Sequence, residues 1–252
     1  MMIIAGESRA GEIRADTQIT RWVSEARLVL VASCVALAMT GCSGAGSATG
    51  PTSSATAAGD GLLGMSDFPA GYELHPGSTS QDLAEQQRKN VSTRSFQPPA
   101  CAQVFSMQAD RTASSQRRGV YAEHDEPYKP SYGDFITRDG ETLAETREVY
   151  DKCGNYIAVV PGEGEVSMTT IKKDPPPGVD ADAFVVETTV TTTPYPANQG
   201  AVAAQQKSLI GHVEASGKRV TFYEEIYGFG STLDAERFDS LFAAAVDRAA
   251  TA

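Results

Sequence analysis

Tryptophan occurs once, as Trp22, histidine three times and cysteine four times in 252 residues. Basic side chains are also scarce, since 21 Lys and Arg stand against 32 Asp and Glu, a net charge of −11. A phosphate backbone needs a positive footprint, so this balance argues against nucleic acid as a partner. No apolar run is long enough to span a bilayer. Leu28 to Met39 (LVLVASCVALAM) would rise only about 18 Å as a helix, against a hydrocarbon core of about 30 Å. There is no internal repeat, phosphate loop, dinucleotide fingerprint or haem motif, so no cofactor is expected. Hydrophobic residues at 41% and charged ones at 21% leave an ordinary globular chain, neither collagenous nor disordered.

The short apolar run follows Arg21 and Arg27 and leads into a Ser/Gly/Ala/Thr tract that offers it nothing to pack against. It reads as the core of a secretory signal peptide. The run ends in Met39-Thr40-Gly41-Cys42, which resembles a bacterial lipobox, with Met39 where that pattern prefers Leu. The resemblance implies cleavage between Gly41 and Cys42 and a diacylglycerol group on the Cys42 thiol. Two long chains at about 0.8 kcal/mol per buried methylene anchor a protein firmly. Residues 1–41 are thus expected to be a signal peptide, and the long stretch before Arg21 suggests an overextended start. The mature chain keeps the whole net charge of −11. Residues 42–60 form the lipidated cysteine and a flexible tether, with a root-mean-square reach of roughly 23 Å.

Residues 61–252 are expected to form one extracytoplasmic domain. Asp67 to Leu74 reads as a turn leading into a strand, and Gln81 to Lys89 as a surface turn or short helix. Pro98-Pro99 opens a helix that sets Cys101, Val104 and Phe105 on one face. A strand-like stretch from Gly119 to Phe135 is interrupted by Pro127 and Pro130. Thr142 to Lys152 predicts a second helix, with Leu143, Thr146, Val149 and Tyr150 on one side. Strands are predicted over Asn155 to Val160, Glu165 to Lys172, Ala183 to Thr193, Ala201 to Glu214 and Arg219 to Tyr227. Ala215-Ser216-Gly217-Lys218 would turn the last pair into a hairpin. Ser231 to Asp234 has the form of a capping box before a helix burying Phe238, Leu241, Phe242, Ala245 and Ala249. Helices with a run of antiparallel strands make an α+β domain.

Once export is granted, Cys34 leaves with the signal peptide and Cys42 takes lipid, leaving Cys101 and Cys153 to pair. The chain-entropy estimate for that loop is about 4 kcal/mol of stabilisation. The lipobox, the tether, Phe68-Pro69-Ala70-Gly71-Tyr72, Pro98-Pro99-Ala100-Cys101, Cys153-Gly154-Asn155-Tyr156 and the alanine-rich closing helix together resemble a group of actinobacterial, chiefly mycobacterial, lipoproteins. Their exported domain has no assigned function and is similar to the extracellular sensor domain of the serine/threonine kinase PknH. The resemblance implies a twisted antiparallel sheet flanked by helices, with a groove for an unknown ligand. The sensor domain carries two disulfides, whereas this chain has cysteines for one.

Catalysis finds little support. His75, His124 and His212 are the only candidate imidazole bases, no G-x-S-x-G elbow occurs, and Glu224 and Glu225 alternate faces of one strand. Glu123-His124-Asp125-Glu126 is the densest set of metal-ligand types, but alternation lets only every second residue converge, and a solvated loop is the expected reading. Tyr121, His124, Tyr128 and Tyr132 are candidate ligand-binding residues, since tyrosines around that loop could wall a groove. Cross-strand packing is the rival explanation. Two proline-bearing segments, Asp174 to Gly178 and Thr191 to Asn198, read as loops. The expectation is a non-catalytic, lipid-anchored binding or sensor-like module on the outer face of the cytoplasmic membrane. Its ligand would be a small molecule, lipid, glycan or envelope protein. An envelope hydrolase or transferase and a protein-interaction scaffold are the alternatives.

Overall fold

The computed structural model describes residues 61–126, 128–179, 182–195 and 202–252. The signal-peptide, lipidation and tether expectations therefore lie outside the described residues, as does part of the Thr191 to Asn198 loop.

Among the described residues, nine strands form one sheet: β1 (Tyr72–Pro76), β2 (Ser95–Gln97), β3 (Gln116–His124), β4 (Ser131–Arg138), β5 (Tyr156–Val160), β6 (Gly164–Lys173), β7 (Phe184–Pro194), β8 (Ala204–Ala215) and β9 (Lys218–Tyr227). Their spatial order is β1-β3-β4-β9-β8-β7-β6-β5-β2, and every neighbouring pair is antiparallel. Four helices among these residues flank it: α1 (Ser80–Ser92), α2 (Ala100–Ser114), α3 (Leu143–Cys153) and α4 (Ala235–Thr251). This is the expected α+β architecture, with helices set between strands rather than gathered at the ends.

Each face carries its own core. On one, Phe238, Leu241, Phe242, Ala245 and Ala249 of α4 pack with Leu62, Leu63 and Phe68 over Val120, Tyr132, Ile136, Val213, Val220 and Phe222. On the other, α2 and α3 bring Cys101, Phe105, Val149 and Cys153 against Tyr156, Ala158, Val166, Met168 and Val190. Phe135, Val186, Ile210, Tyr223 and Tyr150 continue this layer. With both faces covered, β9 is buried along most of its length, so its two acids lie inside as well.

The strand readings agree with the structure to within a few residues, except that the three-residue β2 was not among them. At the predicted hairpin, Ser216 and Gly217 both have positive φ, 52° and 72°, the two-residue geometry matched to strand twist. Gly211 is needed for proximity: a Cβ there would lie 2.6 Å from the Phe242 ring. Its absence lets α4 settle onto β8.

Two local readings are corrected. α1 runs for 13 residues, longer than the surface turn or short helix expected over Gln81 to Lys89, because Thr79 and Asp82 cap its first turn reciprocally and Leu83 and Ala84 are buried. α4 starts at Ala235 under an Asp234 cap rather than a box from Ser231. The reason is local: Glu224 Oε1 accepts from Asp234 N at 2.7 Å, while Ser231 turns back to donate to the Tyr227 carbonyl.

Cys101 and Cys153 form the disulfide, with Cα atoms 5.6 Å apart and 52 positions between them in sequence. It joins the first turn of α2 to the last turn of α3. No helix among the described residues is long and apolar enough to cross a membrane.

Candidate functional site

The four candidate ligand residues do not share one wall. Tyr121 pairs with Gly133 and Ala122 with Tyr132, so strand alternation puts Tyr121 and Tyr132 on opposite faces. Tyr132 is 2% exposed, packed between Phe68, Tyr72 and Phe222. His124 lies edge-on to Tyr72 at 5.1 Å, and its Nδ1 accepts from Glu126 N at 3.0 Å. Tyr121 stacks on His75 across the β1–β3 edge, and burial raises the pKa of its hydroxyl. Tyr128 is 69% exposed, beside Gly228. His124 and Tyr132 therefore meet through Tyr72, while the other two lie elsewhere. Among the described residues no group of three or more metal-ligating side chains converges.

A different place gathers polar groups. Between the sheet and α1–α3 lies a cleft of about 30 Å³, where a single water needs roughly 10–15 Å³. α1 supplies Leu83 and Gln87, and α2 supplies Gln108 and Thr112. Arg117, Thr137, His212, Arg219 and Thr221 rise from β3, β4, β8 and β9, and Glu141 and Thr146 come from the start of α3 and the turn before it. Strand pairing brings them together: Arg117 sits opposite Thr137, Thr137 opposite Arg219, and His212 opposite Thr221.

Thr142 and Glu145 cap the first turn of α3 reciprocally, which fixes the neighbouring Glu141 and Thr146 over β9. Hydrogen bonding from the Thr142 backbone leads the effects that hold the Glu145 carboxyl below its ordinary range. Arg219 Nη1 donates to the Glu141 carbonyl at 2.8 Å, to Glu141 Oε2 at 3.1 Å and to Thr146 Oγ1. Arg111 approaches Glu141 Oε1 only to 3.9 Å, too far for a hydrogen bond. Arg117 lies 3.5 Å over the Phe135 ring and donates to the Ser78 carbonyl.

His212 is 2% exposed, against the Phe184 and Tyr150 rings at 4.9 and 5.8 Å. Desolvation, helped by Arg219, pushes its imidazole down to about 3, so it is neutral at physiological pH. Its Nδ1 lies 3.1 Å from Thr221 Oγ1. Four buried polar atoms here lack a hydrogen-bond partner: Gln87 Oε1, His212 Nε2, Glu141 Oε1 and Arg219 Nε. Sequence reasoning noticed His212 only as a possible base. The other lining residues were missed, because each looks like ordinary strand, cap or helix surface until the register is known.

Three further acids are buried away from this cleft. Burial pushes Asp134, Glu224 and Glu225 each up to about 7. Asp134 accepts from Leu63 N at 2.7 Å, and Glu225 accepts from Gln206 Nε2 at 2.6 Å and Ser131 Oγ at 3.2 Å. Each is at most 1% exposed, so they hold segments in place and present no reachable carboxylate pair.

No protein family matches the chain, and no curated protein matches it. Among solved structures, the extracellular domain of PknH from Mycobacterium tuberculosis is similar at TM-score 0.42 and 12% identity, over 76% of this chain and 94% of that one. That likeness is too distant to transfer a ligand or a residue role.

Proposed function

We propose that this chain is an exported lipoprotein whose 61–252 domain is a non-catalytic, sensor-like binding module of the cell envelope, held at the outer face of the cytoplasmic membrane through Cys42. The observation that carries the binding reading is the polar cleft with four unpartnered atoms. Unmet buried hydrogen-bonding groups cost about 1–3 kcal/mol each, so a fold that keeps four of them together is suited to a ligand that meets them. The anchoring reading rests on the sequence from Leu28 to Cys42. The described fold begins at Gly61, beside Ala252 and Ile136, so the tether would join at the end of the sheet that also bears the cleft, on its opposite face.

Two experiments test it. In a native-like host, Cys42→Ala is expected to release the protein from the membrane fraction and abolish labelling by palmitate. Retention with unchanged mass and labelling overturns the anchor. For binding, the detergent-solubilised full chain is heated with fractionated envelope lipids, glycans and small molecules beside His212→Asn. A cleft ligand raises the Tm of the original chain and not of the variant, and product analysis finds no turnover. Turnover would make the protein an enzyme instead.

A further inference from the structure

The cleft specifies the chemistry of its occupant through the roles its unpartnered atoms can play. Arg219 Nε is a donor, and Glu141 Oε1 and Gln87 Oε1 are acceptors. In the tautomer in which Thr221 donates to His212 Nδ1, the neutral ring carries its proton on Nε2 and becomes a second donor, and it is this tautomer that an anion selects. Two donors and two acceptors therefore belong to the lining of a cleft with space for about two or three water-sized atoms. Charge distinguishes between the small molecules that fit. Arg117 and Arg219 line the cleft against the single carboxylate of Glu141, an excess of one positive charge that favours an anion over water, a cation or a neutral polyol.

An anion lodged beside Glu141 must still offer a hydrogen. A fully ionised oxoanion has only acceptors, and placing one against Glu141 Oε1 sets lone pair against lone pair. An oxoanion retaining a proton donates that hydrogen to Glu141 while its other oxygens accept from Arg219 and His212. We propose that the cleft binds a small proton-bearing oxoanion, of the hydrogenphosphate or bicarbonate type, with Glu141 as the residue that reads the proton. This rests on the binding reading above and gives it a ligand class.

Isosteric pairs test it directly. Phosphate and sulfate share a tetrahedral shape, and bicarbonate and nitrate a planar one, but at pH 7 only the first of each pair carries a hydrogen. Sodium salts of the four, matched in ionic strength, are titrated into the detergent-solubilised full chain. At about a hundredfold excess over Kd, the proton-bearing member of at least one pair should raise Tm by roughly 5–10 °C, with its isostere nearly inert. In Glu141→Gln, where an amide can donate, the ratio of affinities within that pair should fall at least tenfold. The ratio cancels the general gain in anion affinity that follows loss of a negative charge. Equal shifts within both pairs, or none, overturn the proposal, and the unmodified chain alone decides the matter if the variant fails to fold. If no salt shifts Tm but an envelope fraction does so through His212, the oxoanion is wrong and the binding module stands. If neither acts, both fall.

Discussion

A neutral histidine wedged between two aromatic rings and a glycine pressed under a phenylalanine sit next to each other in β8, and they show how much one residue's surroundings decide. Gly211 faces α4 and His212 faces α3, as alternation requires. The alternation was legible in the sequence. What lay opposite each residue was not, because it depends on a helix more than twenty positions downstream and on another more than fifty upstream. The same holds for Glu224 and Glu225: their opposite orientations follow from strand period, but their common burial follows from cover on both sheet faces. Gly211→Ala is expected to cost roughly 1–3 kcal/mol by overpacking, since the new Cβ would sit 2.6 Å from Phe242. Phe242→Ala is expected to cost about 3–5 kcal/mol. In urea titrations the double variant should be less destabilised than the sum of the two, because truncating the ring makes room for the methyl. Strict additivity would mean that α4 does not approach β8 at this point.

At the level of elements, local chemistry decided what could be read. The prolines before α2, the one-sided spacing of Leu143, Thr146, Val149 and Tyr150 in α3 and the apolar stripe of α4 are contiguous signals, and those helices were placed to within a few residues. α1 was underestimated, because its mean polarity is high and its support comes from a cap together with two buried apolar residues, Leu83 and Ala84. The cleft was invisible because its lining comes from seven elements and the turn before α3. The disulfide ties α2 to α3 beside that cleft, and α3 also depends on its cap. Thr142→Ala is expected to lower stability by about 1 kcal/mol and reduction of Cys101–Cys153 by about 4 kcal/mol. Chemical denaturation with and without reductant measures both. If reduction costs no more than loss of the cap, the loop-closure account of the bridge is wrong.

For the molecule as a whole, the buried acids and the buried histidine set opposing pH dependences whose sum can be worked out. Asp134, Glu224 and Glu225 have folded values near 7, above the ordinary carboxyl range, so the folded state holds its protons more tightly than the unfolded chain does. Their contribution is full below about pH 4 and is lost as pH rises through about 7. His212 runs the other way: its folded value near 3 lies below the ordinary imidazole value, so stability falls as pH drops below about 6.5. Between pH 8 and pH 5 each acid gains on the order of 2–3 kcal/mol, and the histidine loses about 2 kcal/mol. Three groups outweigh one, and partial neutralisation of the −11 net charge acts in the same direction. The urea midpoint is therefore expected to be higher at pH 5 than at pH 8. Glu225→Gln should flatten the alkaline side of the profile, since the amide can keep bonds to Ser131 and Gln206 without ionising. His212→Asn should flatten the acid side. A midpoint that rises steadily from pH 5 to pH 8 would mean that these carboxylates are ionised in the fold, with the charges of Arg248 on Asp134 and Arg237 on Glu224 outweighing the cost of burial.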